Sequence, residues 1–272
     1  MNLLFSINQK FIPLWEQCMA TILRHGGAVR YDVYVLHSDL TAEDGARMRA
    51  ALRPQDSCTL VEVPDGLFEG FPETGRYPLQ IYYRLAAPLL LPEALGRILY
   101  LDVDTVVLNS LVPLYTSDFA GTAFMACSHT GRFLDRVNQA RLDLEEGVPY
   151  LNSGVLMMNL ALLRGTLRLA DIRDYAEQYR RRLILPDQDI LTGLFGDKAL
   201  VLDSRVYNMT DRLFVRCAAL PAERLTLDWV RQNTVVVHYL GKPKPWQKNY
   251  IGPLGVFYKE ELALTQAGTK EA

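Results

Sequence analysis

The chain has 272 residues and a formal net charge of −2, so it lacks the basic field of a protein whose main task is binding nucleic acid. That length suits one large α/β domain, which buries roughly three-quarters of the surface its unfolded chain exposes and needs no disulfide staples. No apolar run reaches the ~20 residues needed to span a bilayer, and the start has no basic segment of a signal peptide, so the expectation is a soluble, cytoplasmic protein.

In chain order, residues 3–7 (LLFSI) form a short apolar run suited to a strand covered on both faces. Trp15, Cys18, Met19, Ile22 and Leu23 then recur at helical spacing, and Gly26-Gly27 supplies a stop. Residues 31–36 (YDVYVL) are the next strand. Thr41 with Asp44 resembles a capping box that opens a helix to about residue 52, and a third strand follows at 59–63 (TLVEV). A Gly- and Pro-rich loop crosses 64–78 before a helix over 80–90. Residues 97–101 (RILYL) are the fourth strand, ending directly in Asp102-Val103-Asp104. This βαβα succession implies a mostly parallel sheet with helices on both faces, whose ligand crevice lies beyond the carboxyl ends of the strands.

The second half is less regular. Strands are expected over 122–127, 154–158 and 235–239, and helices over 169–182 and from Asp187 to about Phe195. A polar loop covers 241–249, and residues 265–272 are small and polar and expected to fray. No composition break or repeat divides the chain. Cys18, Cys58, Cys127 and Cys217 form no CxxC pair; they read as small core residues in a reducing compartment, which disfavours a structural zinc site.

Two carboxylates separated by one residue after an apolar strand are a natural seat for a hard divalent cation, which takes mainly oxygen ligands and often some from substrate phosphates. Asp-x-Asp alone is a weak signal, since such triplets are common as solvated turns. Asp102-Val103-Asp104-Thr105 also fits the signature of a haloacid-dehalogenase-type phosphatase, in which Asp102 would be nucleophile and Asp104 general acid. That family places the triplet on its first strand; three strand units precede it here, and the nearest downstream acidic partner, Gly196-Asp197 with Asp203, is loosely spaced. Further along, His238 ends the apolar run 235–237. Such a histidine is most often a structural hydrogen-bonding residue, but a neutral imidazole there could complete a metal site. Gly241 would let backbone approach a phosphate, and Lys244 would supply a cation to neutralise it.

These segments together resemble the retaining glycosyltransferases of family 8, which include glycogenin and bacterial lipopolysaccharide galactosyl- and glucosyltransferases. The resemblance spans residues 2 to about 246. It rests on Tyr83-Arg84-Leu85, Tyr100-Leu101-Asp102-Val103-Asp104, Asn152-Ser153-Gly154-Val155, Asp187-Gln188-Asp189 and His238-Tyr239-x-Gly241-x-x-Lys244-Pro245-Trp246, in that order. It implies a single Rossmann-like domain of GT-A type over 1–272, with a mixed, mostly parallel sheet. The nucleotide-binding part would cover about 1–120, and the acceptor-side and closing elements about 121–264.

The resemblance further implies that Asp102, Asp104 and His238 hold Mn²⁺ (or Mg²⁺) bridging the phosphates of a UDP-sugar, with Val103 between the ligands in the cofactor site. Gly241 and Lys244 would contact the diphosphate. Arg84 and Asp187 would grip the donor sugar, Asn152 would lie near sugar and acceptor, and Gln188 would lie on the far face of the anomeric carbon. Asp187 and Asp189 also suit an ordinary acidic helix start. Close relatives often carry acidic residues after the first strand where this chain has Asn8-Gln9-Lys10; Asn8 can still hydrogen-bond a uracil edge. His129 could contact the acceptor or simply be solvated.

The activity implied is transfer of a hexose, glucose or galactose, to a hydroxyl of a saccharide or lipid-linked acceptor, without nucleic acid. A sugar-nucleotide-binding protein with little transfer activity uses the same residues and stands as the other reading. Residues 259–272 are short and mixed in charge, giving no support to peripheral membrane attachment.

Overall fold

A computed structural model describes residues 1–73, 78–219 and 225–271; residues 74–77 of the expected Gly- and Pro-rich loop, and Ala272, lie outside the described residues. The chain begins with strand β1 (Asn2–Ser6), the helix Ile12–His25, β2 (Asp32–His37), the helix Ala42–Ala50 and β3 (Ser57–Glu62). Both halves of the capping box at Thr41 and Asp44 are made, at 3.2 Å to the Asp44 amide and 2.9 Å back to the Thr41 amide. The expected helix over 80–90 is instead a 3-10 segment, Leu79–Ala86, followed by a single α-turn, Ala87–Leu90, with Pro88 at its start.

β4 (Arg97–Leu101) and β5 (Thr105–Val107) flank the acidic triplet. β6 (Phe124–Ser128), β7 (Leu151–Asn159), β8 (Ala199–Leu202) and β9 (Val236–His238) follow. Seven strands make one sheet in the order β3-β2-β1-β4-β7-β6-β8, and β5 pairs with β9 in a second, two-stranded sheet. β1 to β4 are mutually parallel, and β7 runs antiparallel to both β4 and β6. The architecture is therefore the mixed, mostly parallel α/β sheet with the Asp-x-Asp triplet after the fourth strand.

Side-chain alternation sorts each strand between two cores. Leu4, Ile98, Tyr100, Leu156 and Met158 face one cluster; Leu3, Phe5, Leu99, Leu101, Val155 and Met157 face the other. Burial on both faces explains why these strands read as unbroken apolar runs. All four cysteines are buried and none is in a disulfide among the described residues, and burial pushes the Cys18 and Cys127 thiols up to about 12, so these two stay protonated.

Among the described residues, the helices Val112–Thr116, Arg132–Leu142, Leu160–Thr166, Ser204–Tyr207, Asp211–Ala219, Leu227–Asn233 and Gly255–Glu271, and strands β5 and β8, have no counterpart among the expected elements. The last helix carries residues 265–271 where fraying is expected. Its composition there is dominated by helix-compatible residues, and the Thr265 hydroxyl donates back to the Glu261 carbonyl at 2.9 Å.

The helix Pro186–Phe195 is fixed at its start by Asp189, which is wholly buried. Its carboxylate receives both Arg141 guanidinium nitrogens at 2.8 and 2.7 Å, the Tyr150 hydroxyl at 2.5 Å, and the backbone amides of Ile184 and Leu185 at 2.6 and 3.2 Å. Every acceptor direction is therefore used structurally. Asp189→Ala would strand the mostly buried Arg141 charge, and such losses cost about 3–5 kcal/mol. Urea unfolding should show a midpoint lowered accordingly; an unchanged midpoint would contradict this anchoring role.

Candidate active site

Strand direction assembles the site at one sheet edge. β4 ends there, and because β7 runs the opposite way its first residues lie at the same edge. Val155 pairs with Leu101, and the Asp102 amide donates to the Gly154 carbonyl at 2.8 Å. Asn152 and Ser153 stand just beyond. β6, parallel to β4 in direction, delivers Ser128 and His129 to that edge.

Past Asp104 the chain leaves the main sheet as β5, whose antiparallel register sets Thr105 opposite His238. The Tyr239 amide donates to the Asp104 carbonyl at 3.0 Å, locking the two segments. The result is a cluster in which ligand atoms of Asp102, Asp104 and His238 all lie within 4.8 Å of one another.

The oxygens of each aspartate are divided between two tasks. Asp102 Oδ1 receives the Tyr100 hydroxyl at 2.6 Å and lies 3.0 Å from Arg84 Nη1, while Oδ2 faces His238 Nε2 at 3.7 Å. Asp104 Oδ1 faces His238 Nε2 at 3.2 Å, and Oδ2 pairs with the Lys244 ammonium. His238 is 1% exposed, and its Nε2 is a buried polar atom without a hydrogen bond. Such an orphan between two carboxylates suits a cation that would accept all three.

Burial works against ionising Asp104, but His238 and Lys244 outweigh it and hold its carboxyl well below the usual carboxylate range. Gly154 makes room for the group. A Cβ there would overlap the His238 ring and come within 2.6 Å of Asp102 Oδ2.

Beside this cluster lies a buried ionic group. Arg84 stacks on the Tyr100 ring at 4.4 Å, donates to the Ser153 carbonyl at 2.8 Å and sits 3.5 Å from Asp187. Asp187 accepts from the Ser153 hydroxyl at 2.8 Å. Burial raises the Asp187 carboxyl above its ordinary value despite the opposing Arg84 and Ser153. Burial pushes the Tyr100 phenol well up, so it stays a proton donor toward Asp102. Gln188 Oε1 accepts from the Asn152 amide at 3.1 Å, which brings Asn152, Asp187 and Gln188 to one wall.

The loop after β9 closes the other side. Gly241 has φ +78°, and a Cβ there would meet nothing, so its backbone conformation rather than space calls for glycine. Lys244 donates to the Tyr239 carbonyl at 2.6 Å as well as to Asp104, so its ammonium lies against the acidic cluster rather than standing clear in the crevice. Val103 is half-buried against the core between the two aspartates. Asn8, two residues past β1, caps a 3-10 turn by accepting from the Lys10 amide at 3.1 Å.

His129 is neither a solvated loop residue nor free. Its Nε2 bonds the Asn208 carbonyl at 2.7 Å, and burial lowers its pKa to about 4, so the ring is neutral near pH 7. Residues given no role of their own above also join the site: Tyr100 and Ser153, which lie within the motifs and support Asp102 and Asp187, and Asn208, which lies in no motif and whose side chain spans His238 and Asn152 at 3.0 and 2.8 Å.

The phosphatase alternative loses its acidic partner. Asp203 caps a short helix and pairs with Arg205, and Asp102, Asp104 and His238 form the one such metal-capable group found among the described residues.

Comparison with known proteins gives the family and the fold. The family model "Glycosyl transferase family 8" matches residues 2–250. A putative glycosyltransferase of Haemophilus influenzae is 27% identical over 91% of this chain and 73% of its own length. The lipopolysaccharide 1,2-glucosyltransferase of Escherichia coli K12 is 23% identical over 96% of this chain and 77% of its own. Among solved structures, the galactosyltransferase LgtC, crystallised with donor and acceptor sugar analogs, superposes with a TM-score of 0.81 at 25% identity, covering 97% of this chain and 95% of that one. With its fold and a family match over nearly the whole sequence, the chain belongs to glycosyl transferase family 8.

Proposed function

We propose that this glycosyltransferase moves a hexose, glucose or galactose, from a UDP-sugar to a hydroxyl of a saccharide or lipid-linked acceptor, with the anomeric configuration retained. The observation that carries the reading is the buried, unpartnered His238 Nε2 facing Asp102 and Asp104 across Gly154. Two carboxylates and one imidazole make a donor set suited to Mn²⁺, with Mg²⁺ a weaker match because of the nitrogen. When bound, the ion would neutralise the negative charge that builds on the departing diphosphate.

The chain's own residues do the rest. Lys244, on its loop beyond Gly241, adds a second cation at the leaving group, and preorganised charges of this kind count for most in a crevice that excludes water. Arg84 and Asp187, braced by Ser153 and Tyr100, are positioned to hold sugar hydroxyls. Asn152 and Gln188 line the wall toward the acceptor side. Asn8, at the end of β1, is the candidate for the uracil edge. The parallel half of the sheet, about residues 1–120, would bind nucleotide, and residues of about 121–264 would supply the acceptor side, within one domain.

A double displacement requires a free carboxylate on the far face of the sugar. Asp189 has its oxygens engaged by Arg141, Tyr150 and two amides, and Asp187 is held by Ser153 and Arg84. This supports departure and attack on the same face, with Gln188 stabilising rather than attacking. Relatives named for lipopolysaccharide glucosyl and galactosyl transfer support a saccharide acceptor. No helix among the described residues is long and apolar enough to cross a membrane. Four buried cysteines without a disulfide among the described residues support a cytoplasmic setting.

A panel of UDP-sugars, assayed for UDP release with and without a saccharide acceptor, should show turnover that EDTA abolishes and Mn²⁺ restores. Binding without acceptor-dependent release would favour the weakly active binding protein instead. Asp104→Ala and His238→Ala should each lower turnover about 10²–10³-fold, more than Gln188→Ala; near-normal, metal-independent turnover in both would sink the metal-site reading. Gly154→Ala should displace His238 and Asp102 and weaken Mn²⁺ binding by about 10–100-fold in a calorimetric titration. Unchanged Mn²⁺ affinity in that variant would show that the cation sits elsewhere.

A further inference from the structure

Asn208 is wholly buried, in the turn between the helix Ser204–Tyr207 and Met209, which bridges to Val237 beside His238. Its backbone is held from two sides: its amide donates to the Ser204 carbonyl at 3.2 Å, and its carbonyl bonds His129 Nε2 at 2.7 Å. The side chain stands 3.0 Å from His238 Nδ1 at one end and 2.8 Å from Asn152 Oδ1 at the other.

Backbone chemistry fixes the direction of this chain. The Gly154 amide donates to Asn152 at 3.1 Å, so the Asn152 atom it meets is the carbonyl oxygen. The Asn208 atom facing that oxygen must then be its amide nitrogen, which leaves its carbonyl oxygen toward His238. An acceptor at Nδ1 requires a ring proton there, so in the neutral ring it is Nε2 that would offer its lone pair to a cation between Asp102 and Asp104. The second Asn152 function, its amide nitrogen, donates to Gln188 Oε1. One side chain thus sets the tautomer of the imidazole and the orientation of the wall that carries Gln188.

We infer that Asn208 is a positioning residue: its carbonyl holds His238 in the metal-binding tautomer, and its amide group orients Asn152 and, through it, Gln188. The inference rests on the metal-site reading of the proposed function. Partners that fix a ligand histidine from behind commonly matter to the ion as much as a contact with it. Two variants separate the two halves. Asn208→Asp keeps an acceptor for Nδ1–H but cannot donate to Asn152; Asn208→Leu removes both.

The test uses the full chain, with Mn²⁺ alone as the probe. Mn²⁺ affinity is read from the free-ion paramagnetic signal, ligation by His238 from the ¹⁴N coupling of bound Mn²⁺, turnover from UDP release, and folding from the metal-free thermal midpoint. Asn208→Leu should lose about 10–100-fold in Mn²⁺ affinity together with the ¹⁴N coupling. Asn208→Asp should keep the coupling and an affinity within about threefold of the parent, yet lose roughly tenfold or more in turnover. A merely structural asparagine would lower the midpoint and leave the coupling of each bound ion intact.

Unchanged affinity and coupling in a folded Asn208→Leu variant would overturn the inference. So would full turnover, or loss of coupling, in Asn208→Asp, which decides the matter if the leucine variant does not fold. Failure of the parent chain itself to bind Mn²⁺ through a nitrogen ligand would instead remove the metal-site reading, and this inference with it.

Discussion

The short antiparallel ladder between Thr105–Val107 and Val236–His238 is where two distant parts of the sequence become one site. Six residues take part, all of them buried, and the register sets Thr105 opposite His238 and the Asp104 carbonyl against the Tyr239 amide, with the imidazole 3.2 Å from the Asp104 carboxylate. A slip of one position would send the imidazole to the opposite face. The ladder is held from outside as well. The Val107 amide donates to Thr21 in the first long helix at 3.0 Å, and the Met209 amide donates to the Val236 carbonyl at 2.9 Å. The geometry of the three candidate ligands is thereby inherited from packed backbone rather than from mobile side chains.

A reversal of strand direction supplies the second half of the site. Had β7 run parallel to β4, its residues at the functional edge would have been the carboxyl end near Asn159, and the Asn152-Ser153-Gly154 segment would lie at the far side of the sheet. Running antiparallel, β7 presents its first residues instead, and the missing side chain of Gly154 becomes the space occupied by His238 and the Asp102 carboxylate. The mixed sheet is therefore a requirement of the site as well as a feature of topology.

Much of this was legible in the residues. Apolar runs covered on both faces located β1 and β4, and with β4 the place of the acidic triplet, because strands buried on two sides leave no polar alternation to confuse the pattern. The segments around Arg84, Asn152, Asp187 and His238 carried a family resemblance, and the fold brings all four to one edge. What stayed hidden has physical causes. β5 is three residues long and begins directly after the acidic triplet, too short to show a period of its own, so no local signal marks where the chain changes sheets. Asn208 sits in Val206-Tyr207-Asn208-Met209, a stretch without motif or periodicity; its position depends on the Met209 bridge to Val237, a contact no spacing encodes. Asp189 looked equivalent to Asp187 as part of one acidic helix start. Only the arginine and tyrosine brought from Arg141 and Tyr150 separate a structural carboxylate from one facing the crevice.

The charge pattern of the crevice gives the proposed ion a role beyond catalysis. Asp102, Asp104 and Asp187 are gathered against Arg84 and Lys244, so carboxylates outnumber fixed cations in a confined, partly desolvated space. Charges this close interact strongly when water is sparse. A diphosphate, itself multiply negative, would be repelled by such a site. A dication reverses the sign of the balance at the place where the phosphates must lie. On the proposed reading, then, ion and nucleotide are coupled ligands: the acidic cluster that makes the cation bind well is the same feature that prevents the nucleotide from binding well without it. Lys244 fits this logic. Its ammonium lies against Asp104, compensating the carboxylate from the loop side, and a single small displacement of a flexible four-carbon stem would carry that charge from the carboxylate to a phosphate oxygen.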